Sequence, residues 1–263
     1  MMKHVTQIGA PSRALLYTEP TRASLEFGTF LACTPILRRA PRGDGHTVLV
    51  LPGFLADDHS TVPLRTYLGS LGHHTYGWGL GRNVGPTTEV MDGMEALVDR
   101  LAASAGGPVS IVGWSLGGMF ARGLGHLRPE LIRQIVTLGS PFRSDQPIGS
   151  HAARSFECFA HLHVAHTELP DIDADRGQLA MPVTAVYTKA DGVVAWQTCI
   201  QEAGDRRENV EVRGSHCGLG HNPAALWVVA DRLAQPTGTW APFSPPALVR
   251  HLYPTPAPDS MAA

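Results

Sequence analysis

One serine in this chain stands in a pattern that can turn a hydroxyl group into a nucleophile. Ser115 lies between Gly113 and Gly117 in the order G-x-S-x-G, within the stretch PVSIVGWSLGGMFAR. A β-branched run precedes the pattern and apolar residues at helical spacing follow it, which predicts a buried strand, a tight turn and a helix. The flanking glycines fit a backbone that folds back on itself. The pattern therefore predicts an exposed Oγ at a strand-to-helix elbow, with the Leu116 amide directed at a developing oxyanion.

A serine hydroxyl needs a general base, and that base needs a carboxylate on its far nitrogen. Asp191 follows the apolar strand PVTAVYT, and His216 follows the last short strand of the core. Both residues are therefore expected at the carboxyl edge of a parallel sheet, where open α/β folds build their sites. The sequence predicts Ser115 as the nucleophile, His216 as its base and Asp191 as the acid that orients the base.

Other residues in the sequence are also candidates for the catalytic base, acid or nucleophile. His221 lies five residues beyond His216, directly before a predicted helix cap at Asn222, and is interpreted as structural. Cys217 adjoins the predicted base but has no glycine elbow of its own, so it is interpreted as a bystander. Three further aspartates lie in an irregular segment rather than at a strand end; they are Asp171, Asp173 and Asp175.

The loop after the first strand is a candidate for a second oxyanion donor. Gly53, in LPGF, lets the chain turn sharply, so that the amide of Phe54 can face the same pocket as Ser115. An ordinary βα turn would have the same sequence. The apolar residues around the nucleophile favour an acyl chain over a charged substrate, and Trp114 and Met119 are the predicted pocket residues.

The order of elements predicts an α/β fold with a mostly parallel central sheet and helices on both faces. The predicted core comprises residues 46–142 and 181–234. Residues 143–180 break the alternation of strands and helices, and they are predicted to form a small cap or lid above the site. Residues 1–45 are an N-terminal extension, and residues 235–263 are a proline-rich tail.

An amphipathic helix is predicted in the N-terminal extension, from Thr21 to about residue 37. Its apolar residues cover a broad face; they are Leu25, Phe27, Phe30, Leu31 and Ile36. We expect this face to pack on the domain. A flap over the pocket, or weak contact of residues 21–37 with a lipid interface, is the alternative.

Composition narrows the classes of function. Of the 263 residues, 43% are hydrophobic and 17% charged, which indicates a globular core. The net charge is −2 and no basic run occurs, so no nucleic-acid partner is expected. No apolar run is long enough for a membrane span, and the first residues lack the apolar stretch of a secretory signal. A cytoplasmic setting is expected.

The cysteines and clustered histidines do not show metal-ligand spacing. His161 and His163 are two residues apart, which would direct them to different faces of a helix, so no metal is expected. The four cysteines lack C-x-x-C spacing and are expected to be free thiols, although a bridge between Cys199 and Cys217 stays open.

From residue 46 to about residue 234, the chain resembles the α/β-hydrolase superfamily, and specifically its lipase and esterase branch. The matching segments, in order, are LPGF at 51–54, GWSLGG at 113–118, TLGSPF at 137–142, and Asp191 followed by His216. The resemblance implies an acyl-enzyme at Ser115, amides of Phe54 and Leu116 as oxyanion donors, and no cofactor.

The expected function is that of a serine carboxylic-ester hydrolase, acting on a small-molecule ester or lipid with an apolar acyl group. An acyltransferase or thioesterase with the same triad is the alternative, because the acceptor of the acyl group depends on how water is excluded. A binding module that keeps the fold without the chemistry is a third reading.

Overall fold

A computed structural model describes residues 9–142, 150–164, 178–202 and 204–254. Its strands are β1 (Thr47–Leu51), β2 (His74–Gly77), β3 (Val109–Trp114), β4 (Ile132–Leu138), β5 (Val183–Tyr187) and β6 (Arg207–Glu211). They form one sheet in the order β2-β1-β3-β4-β5-β6, and every neighbouring pair is parallel. The predicted sheet is confirmed. Its strand ends at the carboxyl edge bring together loops that are far apart in sequence.

Helices cover both faces of the sheet, as predicted. They are α1 (Arg13–Leu37), α2 (Asp58–Ser70), α3 (Thr88–Ala105), α4 (Leu116–Leu127), α5 (Ala153–Cys158) and α6 (Pro223–Leu233). Alternate residues of the buried strands belong to two separate hydrophobic clusters. Val48 and Val50 pack with α1, α2 and α6, while Leu49 and Leu51 pack with α3 and α4. Strands with apolar residues on both faces are typical of a parallel sheet between helical layers.

The N-terminal helix differs from its prediction in extent and in orientation. α1 begins at Arg13, well before the predicted Thr21, and Ser12 caps it by accepting a hydrogen bond from the Leu15 amide at 3.3 Å. Pro20 lies inside the helix rather than ahead of it. The helix packs on the domain, but most of the predicted apolar face does not: Phe30 packs against the core, whereas Leu25 is 68% exposed and Leu31 57%. Contact of this face with a lipid interface stays a prediction.

The inward side of α1 is polar in its first half and apolar in its second. Glu19 is buried and Arg22 and Glu26 are partly buried, while Phe30 and Leu37 pack against the core. These residues recur at helical spacing, so they form one stripe along the helix. Among the helices in the described ranges, none has the length and apolar composition that crossing a membrane requires.

Two of the predicted outlying segments are partly described. In the predicted cap, α5 and a 3-10 turn (Ala160–Leu162) pack on the loop after β1, with the rings of Phe156 and Phe159 centred 5.4 and 6.0 Å from that of Phe54. The part of the cap that contains Asp171, Asp173 and Asp175 lies outside the described residues. In the tail, residues 235–254 run over the domain, and the Tyr253 hydroxyl donates to the carbonyl of Ala224 at 2.9 Å.

Candidate active site

Ser115 occupies a sharp turn between β3 and α4. Its φ of 52° and ψ of −119° lie in a region that side chains rarely adopt, and its amide donates to the Leu138 carbonyl at 2.8 Å. A Cβ at Gly113 would overlap the carbonyl oxygen of Gly117, and a Cβ at Gly117 would lie 2.5 Å from the carbonyl oxygen of Leu51. Glycine is therefore required on both sides of the serine by contact with backbone atoms.

Three side chains form a continuous hydrogen-bonded chain at the carboxyl edge of the sheet. The Nε2 atom of His216 lies 3.0 Å from Ser115 Oγ, and its Nδ1 lies 2.6 Å from Asp191 Oδ2. His216 and Asp191 are buried, with exposed fractions of 5% and 3%. When Nδ1–H donates to the carboxylate, Nε2 is left to accept the serine proton. The structure thus brings together the three residues that the sequence predicts as a triad.

The loop after β5 holds Asp191 in place. Its Oδ1 accepts hydrogen bonds from the amides of Val193 and Val194, each at 2.8 Å, which leaves Oδ2 for His216. Gly139, just after β4, has a φ of 57°, and a Cβ there would lie 3.2 Å from His216 Nδ1. A larger residue would crowd the pair. Sequence reasoning missed this glycine, although it falls within the matched TLGSPF segment.

Opposed effects set the pKa of His216. Burial lowers the pKa of the imidazole, because the charged form loses water. The negative charge of Asp191, the hydrogen bond to it and the charge of Glu19 outweigh burial, so the pKa of His216 is raised. A base with a raised pKa takes up a proton more readily, and the same charges stabilise the resulting imidazolium.

The other candidates for the catalytic roles are bound to different groups, are unsuited to the chemistry or lie outside the described residues. The Nε2–H of His221 donates to the carbonyl of Ala23 on α1 at 3.0 Å, and its ring meets those of Phe27 and Trp114 edge-on. Although Cys217 as a whole is exposed, desolvation around its thiol and the charge of Glu19 raise its pKa to about 12. It is therefore a protonated thiol rather than a nucleophile. Asp171, Asp173 and Asp175 lie outside the described residues.

The loop after β1 approaches the serine closely. A Cβ at Gly53 would lie 3.3 Å from Ser115 Cβ and 4.0 Å from Oγ. The amide of Phe54, the next residue, is the first backbone group after this close contact. Among the hydrogen bonds of the described residues, none uses the amide of Phe54 or of Leu116. Leu116 is the first residue of α4, where backbone amides have no acceptor within the helix. That these two amides bind an oxyanion stays a prediction.

A buried asparagine fixes this loop. Asn83 is fully buried; its backbone pairs with Leu55 at 2.7 Å and with Ala56 at 2.8 Å, and its Nδ2 donates to the Pro52 carbonyl at 2.9 Å. Its Oδ1 accepts from the amide of Gly85 at 3.2 Å. The glycine-rich segment around Asn83 marks a structured loop in the sequence, but no local signal identifies its partners.

The two predicted pocket residues lie on opposite sides of the nucleophile. Met119 packs with Phe54 against the core cluster of α3 and α4. Trp114 packs against the cluster of α1, α2 and α6, and its indole N–H donates to the carbonyl of His216 at 3.1 Å. The described contacts of Trp114 therefore support the histidine loop. A pocket role for either residue stays a prediction.

One group in the described residues has the donors and the spacing for a cation. The ligand atoms of Asp44, His46 and His73 lie within 4.8 Å of one another, at the amino ends of β1 and β2, on the edge of the sheet opposite Ser115. Asp44 already binds Arg133 at 2.9 Å and His46 at 2.5 Å. Burial lowers the pKa of His73 to about 4, so its ring is neutral. The group is no part of the candidate active site.

Three of the histidines clustered in the predicted cap have separate hydrogen-bond partners. His151, His161 and His163 each pair with a different backbone carbonyl; the acceptors are Pro11, Cys158 and Val84. His166 lies outside the described residues. All four cysteines are free thiols, which settles the open question of a bridge between Cys199 and Cys217.

The chain is similar to solved structures of lipolytic and related enzymes. No protein-family model and no curated protein matches it. Lipase B of Aspergillus fumigatus aligns at 16% identity and a TM-score of 0.55, over 73% of this chain and 53% of the lipase. Mouse alpha/beta hydrolase domain-containing protein 10 aligns at 16% identity and a TM-score of 0.50, over 73% of this chain and 90% of that protein.

A further match is a metagenome-derived lipolytic enzyme, at 14% identity and a TM-score of 0.50, over 73% of this chain and 93% of the enzyme. This chain thus spans about half the length of the Aspergillus lipase, with 53% of the lipase covered. At these identities the likeness shows a shared fold.

Proposed function

The chain has the α/β-hydrolase fold, and on that premise we propose that it is a serine carboxylic-ester hydrolase that works through an acyl-enzyme at Ser115. The observation that carries the proposal is the unbroken chain of hydrogen bonds from Asp191 through His216 to Ser115 Oγ, at 2.6 and 3.0 Å. These distances are those at which a base can take a proton from a serine.

In the first half-reaction, His216 Nε2 accepts the proton of Ser115 while Oγ forms a bond to the ester carbonyl carbon. The carbonyl π electrons move to oxygen, and the amides of Phe54 and Leu116 donate to this oxyanion. As the tetrahedral intermediate collapses, the bond to the leaving alcohol breaks, and the imidazolium of His216 gives that oxygen its proton. Asp191 orients the ring and stabilises its charge.

In the second half-reaction, water takes the place of the alcohol. His216 accepts one proton of the water while the oxygen attacks the acyl carbon. As this intermediate collapses, the bond between the acyl carbon and Ser115 Oγ breaks, the imidazolium of His216 gives its proton to Oγ, and the acid is released. The chain needs no cofactor for this cycle, because each proton is held by His216 between its two transfers.

An apolar acyl group suits the surroundings of the nucleophile. Phe54 and Met119 are partly buried beside the buried Leu116, and the described part of the cap adds the aromatic ring of Phe156 against Phe54. Aromatic and aliphatic side chains bind acyl chains by excluding water from both surfaces. We propose a small-molecule ester or a lipid as the substrate.

Hydrolysis of p-nitrophenyl esters, with acyl chains of two to sixteen carbons, tests the proposal. The wild type is expected to release p-nitrophenol, and Ser115→Ala to lose at least about a thousandfold in kcat. Hydrolysis at equal rates by the two proteins would reject the serine mechanism. Product analysis with an added alcohol or thiol separates hydrolysis from acyl transfer, because a transferase gives the new ester instead of the free acid.

A further inference from the structure

Charged side chains on α1 face the two loops that hold Asp191 and His216. They are Glu19, Arg22 and Glu26, three and four residues apart along the helix. Glu19 is only 3% exposed although it is a carboxylate. An ionised group in such a place must find hydrogen-bond partners in the protein, because it has lost its water. The partners of Glu19 therefore indicate its role.

The Glu19 carboxylate binds backbone amides from both loops. Its Oε1 accepts from the amide of Gly192 at 2.8 Å and from that of His216 at 3.1 Å. Its Oε2 accepts from the amide of Cys217 at 2.9 Å. Gly192 adjoins Asp191 in the loop after β5, whereas His216 and Cys217 belong to the loop after β6. One carboxylate thus ties the acid loop to the histidine loop.

Arg22 repeats the same connection through carbonyl oxygens. It binds Glu19 Oε1 at 2.8 Å, and another nitrogen of its guanidinium donates to Ala190 at 2.8 Å and to Gly214 at 3.3 Å. Ala190 precedes Asp191, and Gly214 lies two residues before His216. Glu19 thus accepts hydrogen bonds from both loops, and Arg22 donates hydrogen bonds to both loops. The two side chains are held together on one helix, so the ion pair connects the acid loop to the histidine loop.

We propose that Glu19 is a positioning residue, which holds His216 in register with Asp191 and Ser115 by binding the backbone amides of the acid and histidine loops. The inference rests on the proposed function and extends it to a helix outside the core of the fold. Glu19 acts through the backbone of His216, and its negative charge favours the imidazolium that forms when Ser115 gives up its proton.

Two substitutions separate the geometric effect from the charge effect. Glu19→Gln keeps the shape, removes the charge and turns one acceptor into an N–H₂ group that faces an amide. Glu19→Asp keeps the charge but withdraws the carboxylate by about 1.5 Å. Glu89→Gln is the matched control, since Glu89 is an exposed carboxylate in the first turn of α3.

For ester hydrolysis, Glu19→Gln is expected to lower kcat by about tenfold to a hundredfold with KM little changed, because a displaced base slows the chemical step rather than binding. The midpoint of the acid limb of kcat/KM is expected to move to lower pH. Glu19→Asp is expected to lower kcat while its midpoint stays, and Glu89→Gln to match the wild type. A folded Glu19→Gln or Glu19→Asp protein with the kcat and midpoint of the wild type would overturn the inference.

The titration of His216 gives a readout that does not depend on turnover. In proton NMR spectra, the low-field Nδ1–H signal of His216 in the wild type is expected to titrate at a higher pH than in Glu19→Gln. If the wild type hydrolyses no ester and this displacement is still seen, the proposed function fails while the effect of Glu19 on His216 stands. Equal midpoints in both proteins would reject that effect. If Glu19→Gln does not fold, the kcat of Glu19→Asp decides.

Discussion

At the scale of single residues, the protonation of His216 controls the proposed chemistry. Burial lowers the pKa of His216, but Asp191 and Glu19 raise it by more, so the net direction is upward. The base must be neutral to take the serine proton. We therefore predict that kcat/KM falls on acidification with a midpoint above about 6.5, the ordinary value for histidine. A pH profile of ester hydrolysis measures this midpoint.

Asp191→Asn tests the origin of that midpoint. The change removes the negative charge that does most to raise the pKa of His216, so the midpoint is expected to move to lower pH. We expect kcat to fall by about ten-thousandfold as the ring loses its orientation. Because the pKa of His216 is raised in the folded chain, the stability of the fold also depends on pH. Protonated His216 stabilises the folded chain below the unfolded pKa, and this contribution is lost as pH rises through the folded pKa. A midpoint that does not respond to Asp191→Asn would contradict the assignment.

Gly117 gives a prediction about the backbone of the elbow. A Cβ there would lie 2.5 Å from the Leu51 carbonyl oxygen, and backbone atoms cannot move aside cheaply. We predict that Gly117→Ala destabilises the protein by at least about 1–3 kcal/mol, measured by urea unfolding. The matched control is Gly28→Ala in α1, where no atom lies within 4 Å of the new Cβ and a gain of roughly 0.5–1 kcal/mol is expected. Equal effects of the two changes would refute the steric explanation.

At the scale of elements, the loop after β1 depends on Asn83 for its shape. Asn83→Ala leaves the Pro52 carbonyl and the Gly85 amide without their buried partner. We predict a loss of about 1–3 kcal/mol in unfolding free energy. We also predict a fall in kcat, because the Phe54 amide moves away from the developing oxyanion.

Asn83→Asp serves as the partial replacement. It keeps the acceptor for the Gly85 amide and loses the donor to Pro52, so its kcat is expected between those of the wild type and Asn83→Ala. Steady-state kinetics on one p-nitrophenyl ester checks the order. An Asn83→Ala protein that unfolds more easily and keeps its full kcat would show that the loop does not depend on this side chain for catalysis.

The N-terminal helix shows where prediction from apolar spacing fails. The rule that the apolar face of a helix packs inward holds for most surface helices, and it selected Leu25 and Leu31, which are exposed. In the first half of α1, the inward stripe is polar because backbone amides and carbonyls of two loops provide hydrogen-bond partners for Glu19 and Arg22. The sequence predicts that this helix starts at Pro20-Thr21, although α1 continues through Pro20.

At the scale of the whole molecule, features that depend on neighbouring residues can be predicted from the sequence, whereas contacts between residues far apart in the chain cannot. The elbow at Ser115, the alternation of strands and helices, and the positions of Asp191 and His216 at strand ends follow from local patterns together with the geometry of parallel sheets. Glu19 is different, because its partners Gly192 and His216 lie 173 and 197 residues away. No local pattern encodes such contacts. The partners of Asn83 are similarly invisible before the fold is known.

The tail gives a prediction about the stability of the whole domain. Val249 is 4% exposed, Tyr253 donates to Ala224, and the rings of Phe243 and Tyr253 are 5.1 Å apart. We predict that a chain ending at residue 234 loses at least about 3 kcal/mol of unfolding free energy, because it exposes the core surface beneath these residues. A chain ending at residue 254 is the reference, since it keeps every described contact. Equal thermal unfolding midpoints for the two would show that the tail does not support the core.

The central claim, that Ser115 is an activated nucleophile, is tested most directly by covalent labelling. The folded protein would be treated with a fluorophosphonate, digested and analysed by peptide mass spectrometry. The account predicts one adduct on Ser115, no adduct in Ser115→Ala and a much slower reaction in His216→Ala, because the hydroxyl needs its base. Labelling of a different residue, or a folded wild type that stays unlabelled at Ser115, would contradict it.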